Sequence, residues 1–147
     1  IGKITNIYDA DTCKVCFYYN ENIIKINCRL VGIDSAEIKP SKLKEDRELE
    51  KKASKIARNR LIEMVTDCKI NIKEEYKKKE IKKIMEKNKK LVKIYLMEGD
   101  KYGRILIKIY DENNECVNDR LIKEGYAYKY EGGTKRKFKD WFDMKLL

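Results

Sequence analysis

The sequence predicts an α+β fold, a small β-barrel with helices packed against it. Three observations carry this expectation. The first part of the chain consists of short runs of β-branched and aromatic residues separated by Asp- and Asn-bearing turns. After Pro40 the apolar period changes from two residues to about 3.6. Strand-like runs then return, followed by two short helical patterns near the end. At 147 residues the chain is long enough for one core and too short for two, so a single domain over 1–147 is expected.

The elements follow in order. Ile4, Thr5, Ile7 and Tyr8 read as a first strand, ended by a turn at residues 9–11. Residues 12–19 read as a second strand, residues 20–22 as a turn, and residues 23–33 as a third strand. A meander of short strands at this chain length suggests a barrel. Beyond Pro40, Leu49, Ala53, Ile56, Ala57, Leu61 and Met64 fall on one helical face, with charge elsewhere, which predicts an amphipathic helix on the barrel.

"CKINIKEEY" (68–76) returns to a strand pattern. "KKKEIKKIMEKNKK" (77–90) is the most basic stretch and supports two readings. It is either a short helix with Ile81, Ile84 and Met85 on one face or a solvated lysine-rich loop, and it serves either as an arm on a nucleic-acid backbone or as a solvated insertion. "LVKIYLMEGDKYGRILIKIYDENNE" predicts a hairpin turning at "EGDKYG", and "VNDRLIKEG" a short helix closed by Gly125. Phe138, Trp141 and Phe142 are spaced to dock a terminal helix.

Charge and composition narrow the function. Lys and Arg number 35 against 25 Asp and Glu, a net +10, which favours a polyanion and nucleic acid before a membrane surface. A bias toward Lys, Ile, Asn and Tyr in the encoding genome is the plainer source of much of that lysine, and both can hold. There is no histidine, which excludes a histidine general base, a Ser-His triad and histidine-ligated zinc. Chemistry must therefore run on carboxylates, arginines, lysines, tyrosines or a metal on oxygen ligands.

The five cysteines are odd in number and scattered. Cys13 and Cys16 lie three apart in a strand-like run and so face opposite sides, which argues against zinc. Free thiols lead us to expect a reducing, intracellular setting, with a removed signal peptide left open. No apolar run approaches a membrane span, and no membrane partner is expected.

"DADT" places Asp9 and Asp11 at a tight turn, where Asp often serves only to bond its own backbone. "GIDSAE" sets Asp34 at a strand end with Glu37 just beyond. Two carboxylates from separate strands plus a backbone carbonyl would form an oxygen-only site suited to a hard cation such as Ca²⁺. "DKYGR" supplies Lys101, Tyr102 and Arg104 on what is otherwise an ordinary turn. Arg29 stands in the middle of an apolar alternation, where an unpaired guanidinium is costly, so it requires a carboxylate or a phosphate. Arg29, Asp34 and Glu37 are thus either a salt-bridge cluster or half of an active site.

In this order, "DADT", "RLVGIDSAE", "DKYGR" and "VNDRLIKEGYAYKY" resemble the staphylococcal nuclease (thermonuclease) family over nearly the whole chain. The resemblance implies a five-stranded OB-fold barrel with about three packed helices. It implies one Ca²⁺ on Asp11, Asp34 and the Ser35 carbonyl, with Asp9 acting through water. Arg29, Glu37 and Arg104 would be catalytic, Lys101 and Tyr102 would lie at the nucleotide groove, and Tyr130 would add a stacking surface. The implied activity is calcium-dependent endonucleolytic hydrolysis of DNA and RNA with little sequence specificity, leaving 3′-phosphates. Single strands would be preferred by a monomeric enzyme.

The sequence departs from the family pattern in three places. Ala10 stands at a usual glycine, Ala36 at a usual proline, and the basic stretch lengthens a loop. The alternative is an inactive OB-fold module of Tudor-nuclease type that binds nucleic acid or protein. Such modules generally lose the acids or the arginines, and here all are present.

Overall fold

The computed structural model describes residues 1–66, 68–88 and 90–147. The strands are β1 (Gly2–Asp9), β2 (Thr12–Tyr19), β3 (Asn22–Leu30), β4 (Ile33–Ser35), β5 (Leu91–Gly99), β6 (Ile105–Tyr110) and β7 (Ala127–Lys129). Five of them close a barrel in the order β1-β2-β3-β6-β5, while β4 and β7 pair separately. Every barrel contact is antiparallel except β3 with β6. The helices of seven or more residues are α1 (Arg47–Val65), α2 (Lys78–Lys87) and α3 (Val117–Lys123). The α+β barrel with three packed helices is as the sequence predicts. No helix among the described residues is long and apolar enough to cross a membrane.

Local chemistry sets the barrel's corners. Asn20 and Glu21 both take positive φ, 48° and 67°, so β2 and β3 join through a two-residue turn whose twist suits a hairpin. Residues 23–33 do not form one strand. Gly32, at φ 81°, ends β3 and sends β4 out of the barrel to pair with β7, Asp34 opposite Tyr128. That break carries Asp34 and Ser35 off the barrel wall and beneath the C-terminal segment.

Helix α1 buries Ala53, Ile56, Ala57, Leu61 and Met64 as expected, but Leu49 is 45% exposed. At this end the buried stripe runs through Glu50, Ala53 and Ser54, because Glu50 anchors the loop that carries Glu37. Residues 68–76 form no strand. The Asn59 side chain donates to the Ile72 and Glu74 carbonyls at 2.9 and 3.1 Å, and Glu63 accepts from the Ile70 N–H. Helix side chains thus take the backbone groups that a neighbouring strand would take.

Of the two readings of the basic stretch, the helix is observed. Ile81 and Met85 of α2 are buried against the barrel, and Glu80 accepts the Lys77 N–H at 3.1 Å. Lys89 lies outside the described residues. Helix α3 ends as predicted at Gly125 (φ 87°), with the Gly125 and Tyr126 N–H groups bonding the carbonyls of Ile122 and Leu121. The terminal helix is a single turn, α4 (Phe138–Trp141), followed by a 3₁₀ turn at Met144–Leu146. Phe138 and Phe142 pack with Ala36 and Ala53 in a small cluster beside the main core.

Candidate active site

The turn after β1 and the end of β3 meet because Thr12 pairs with Arg29 across the β2–β3 ladder. The Asp9 carboxylate accepts the Asp11 N–H at 3.1 Å, and Thr12 donates to Asp11 Oδ1 at 3.0 Å. Ala10 is not among the described residues with positive φ, so its substitution for glycine leaves the turn unstrained. Arg29 Nη2 then lies 3.5 Å from Asp11 Oδ2 and 3.4 Å from Asp34 Oδ1, bridging carboxylates from two sheets. These are long contacts, weaker than a short bidentate fork. The Tyr130 ring centroid lies 5.9 Å from the same guanidinium.

Both acids are almost wholly buried, Asp11 at 6% and Asp34 at 4% exposure. Burial, with the charge of Asp9 added, pushes the Asp11 pKa up to about 7, against the opposing pull of Arg29. Burial also raises Asp34, and the charge of Asp11 adds to this, while the Tyr128 hydroxyl and Lys135 oppose it. The Tyr128 hydroxyl donates to Asp34 Oδ2 at 2.6 Å, and Lys135 Nζ stands 3.6 Å from Oδ1.

Among the described residues no group of three or more His, Cys, Asp or Glu is arranged to hold a metal. The donors on hand are two buried carboxylates beside Ser35, whose buried hydroxyl has no hydrogen-bond partner among the described residues. An oxygen-only set of two buried carboxylates, held by Arg29 only through long contacts, fits a hard cation completed by carbonyl and water oxygens.

Glu37 borders a pocket of about 150 Å³ together with Asp34, Ser35, Lys44, Glu50 and Tyr128. Its N–H donates to Glu50 Oε2 at 3.0 Å, and Lys44 holds the other Glu50 oxygen at 3.1 Å. Ala36 in place of a proline therefore does not leave this loop untethered, since the tether comes from α1.

Arg104, Lys101 and Tyr102 form a separate group at the β5–β6 turn. Arg104 Nε donates to Asp100 Oδ2 at 2.8 Å, and the Tyr102 and Arg104 N–H groups both reach Oδ1 at 2.9 Å. The exposed Tyr102 ring lies 5.4 Å from the Arg104 guanidinium and 5.3 Å from Lys101 Nζ. Register places this turn beside the cluster, because Ile105 pairs with Cys28, the neighbour of Arg29.

The structure thus joins Arg29, Asp11, Asp34 and Tyr130 directly and sets Glu37 and Ser35 in the adjoining pocket. It keeps Arg104 on its own carboxylate. Sequence reasoning gave no role to Asp100 and Glu50, and of the segment Tyr126, Tyr128 and Tyr130 it chose Tyr130 rather than Tyr128. Asp100 carried a signal, an Asp two and four residues ahead of the N–H groups it caps. Tyr128 was one of three alternating tyrosines, and only its pairing with Asp34 distinguishes it from Tyr126 in the core.

No curated protein sequence matches the chain significantly. The family model described as staphylococcal nuclease homologue matches residues 27–144. That span begins at the end of β3, takes in the Asp34–Glu37 loop, the three helices and the Asp100–Arg104 turn, and reaches the C-terminal 3₁₀ turn. The Asp9–Asp11 turn precedes it and is joined to it by the barrel. By the match and by the closed barrel, the chain belongs to the staphylococcal nuclease homologue family.

Proposed function

We propose that the protein is a calcium-dependent nuclease that hydrolyses phosphodiester bonds of DNA and RNA with little sequence specificity and leaves 3′-phosphate products. The observation that carries this reading is the buried Arg29–Asp11–Asp34 cluster beside the pocket of Glu37. Asp11, Asp34 and the Ser35 carbonyl would hold the cation, with Asp9 acting through water. When bound, Ca²⁺ supplies Lewis-acid polarisation of the phosphoryl oxygens.

The remaining work falls to the side chains. Glu37 orients a water in its pocket and accepts its proton as the water attacks phosphorus. The P–O5′ bond breaks, the phosphate stays on the 3′-oxygen, and the departing 5′-alkoxide takes a proton from solvent water. Arg29 donates to the phosphoryl oxygens, and its long contacts with the two acids leave it open to competition by phosphate. Asp100 engages Arg104 through Nε, which leaves the two Nη groups as phosphate donors. Both arginines bind more strongly as charge builds on those oxygens, so they favour the transition state. Tyr102 and Tyr130 stack on bases, and Lys101 adds backbone charge. Such contacts tolerate any sequence and favour single strands. We further propose a monomeric protein, one domain over 1–147, and a reducing setting, which the five free cysteines support.

The test is degradation of single-stranded DNA and RNA in Ca²⁺, Mg²⁺ or EGTA. Calcium-dependent cleavage that falls roughly 10²-fold or more in Glu37→Gln and in Arg29→Ala is the expected result. Tight binding with no cleavage in any metal would leave the inactive OB-fold binding module as the better account.

A further inference from the structure

A groove of about 1030 Å³ runs along β1 and β2, with α2 as one wall, and has no part in the chemistry above. It begins at the edge of the catalytic cluster, where Tyr8 precedes Asp9 and Ile38 follows Glu37, and extends to Gly2 and Leu91 at the far end of β1. Eight residues of β1 cover roughly 25 Å at about 3.3 Å each.

Arg58 of α1 lines this groove and is 9% exposed. Its Nε is buried with no hydrogen-bond partner, and Nη2 reaches only the neighbouring Asn59 Oδ1 at 3.4 Å. Among the described residues no carboxylate forms an ion pair or hydrogen bond with it; the charge of Asp9 favours its charged form but does not offset the burial that lowers its pKa. A buried guanidinium without a carboxylate is costly, and its planar fork matches a phosphate.

The surroundings share this charge. Lys39, Lys78 and Lys82 line the groove, as does Lys55, which also reaches Glu75 at 3.5 Å, and Glu86 is the sole acid among the lining residues. Helix α2 carries two stripes at i, i+4 spacing, Ile81 with Met85 into the core and Lys78 with Lys82 toward the groove. Tyr8 and Tyr18 line it at 49% and 77% exposure, ring faces available to unstacked bases.

We propose that this groove is a second nucleic-acid site that holds a single strand as it leaves the catalytic cluster, with a phosphate on Arg58 and bases on Tyr8 and Tyr18. It rests on the nucleic-acid reading above but not on catalysis. Stacking requires bases free of a duplex, so the ligand is single-stranded. The basic helix α2 is then a wall of a binding track.

The experiment is fluorescence anisotropy in EGTA with labelled oligo-dT and oligo-U of about 4 and about 16 nucleotides. The wild type should bind the longer strands more tightly. The exposed double variant Lys78→Glu/Lys82→Glu should weaken the longer strand about tenfold and reduce the slope of log affinity against log salt by about 1 to 2, with little change for the shorter. Tyr18→Ala should weaken the longer strand by at least about fivefold. Arg58→Lys keeps the charge and loses the fork, so it should also weaken binding, with a thermal melt to establish that it folds. Affinity independent of length, equal losses for both lengths, or displacement of the strand by polyglutamate or anionic vesicles at matched charge would overturn the proposal. Binding that depends on length and on the α2 lysines, but without cleavage in Ca²⁺, would uphold the groove while sinking the nuclease reading.

Discussion

The Tyr128 hydroxyl donates to Asp34 Oδ2 at 2.6 Å and accepts the Arg136 N–H at 3.0 Å. One buried phenol therefore ties the carboxylate on β4 to the C-terminal segment. Tyr128→Phe leaves the ring packed on Trp141 and removes both bonds. Unfolding in urea should show a loss of about 1–3 kcal/mol with an unchanged m-value. A loss below about 0.5 kcal/mol would mean that Asp34 is held by Arg29 and Lys135 alone.

Asp100 and Arg104 give a dependence on pH. Burial acts to raise the Asp100 pKa, but the Arg104 and Tyr102 N–H groups and the Arg104 guanidinium outweigh it and hold it below the ordinary 3.8. The folded state thus binds a proton less readily than the unfolded chain. Its contribution to stability is fully present above the unfolded value and is lost as pH falls through the folded one. Melting temperatures of wild type and Asp100→Asn should differ by a constant amount above about pH 5 and converge as the pH falls below the ordinary 3.8 and through the lowered folded value. A gap that stays constant down to pH 2 would show that Asp100 does not position Arg104 through its charge.

Calcium should stabilise the fold. Scanning calorimetry should show a rise in melting temperature equivalent to about 2.7 kcal/mol at roughly 100 times the Kd, reversed by EGTA. The shift should vanish in Asp11→Asn and in Asp34→Asn while surviving in Glu37→Gln. An undiminished shift in Asp11→Asn would place the cation elsewhere.

Two leucines on α1 should behave in opposite ways. Leu61 is fully buried and Leu49 is 45% exposed. Leu61→Ala should cost about 2–5 kcal/mol, and Leu49→Ala should stay within about 0.5 kcal/mol. Equal costs for the two would overturn the burial of Glu50 in place of Leu49 in the first turn of α1.

Much of this was legible in the residues themselves. Alternation in β1 and β2, the helical stripe from Ala53 to Met64 and the Gly125 cap each depend on a few neighbouring residues, and each forms where predicted, whereas the third strand breaks at Gly32. The strand expected at residues 68–76 failed because its backbone partners are the side chains of Asn59 and Glu63, brought from another element. Leu49 failed because Glu50, which fits the helical pattern as a solvent residue, is buried by its bond to the Glu37 loop.

By itself, the sequence determined the chemistry on hand, a histidine-free set of acids and arginines in short local motifs, and the periodicities that build a barrel with helices. Only the tertiary structure decided the pairings. Arg29 needed an anion, and the β2–β3 pairing together with the break at Gly32 brought it two, Asp11 and Asp34, both onto Nη2. Arg58 sits on a helix whose spacing gives no sign that its guanidinium is buried with no ion-pair partner among the described residues. Local order follows from interactions between near neighbours. Which charge meets which, and which is left without a partner, depends on contacts between residues far apart in the chain, and those exist only once the core has packed.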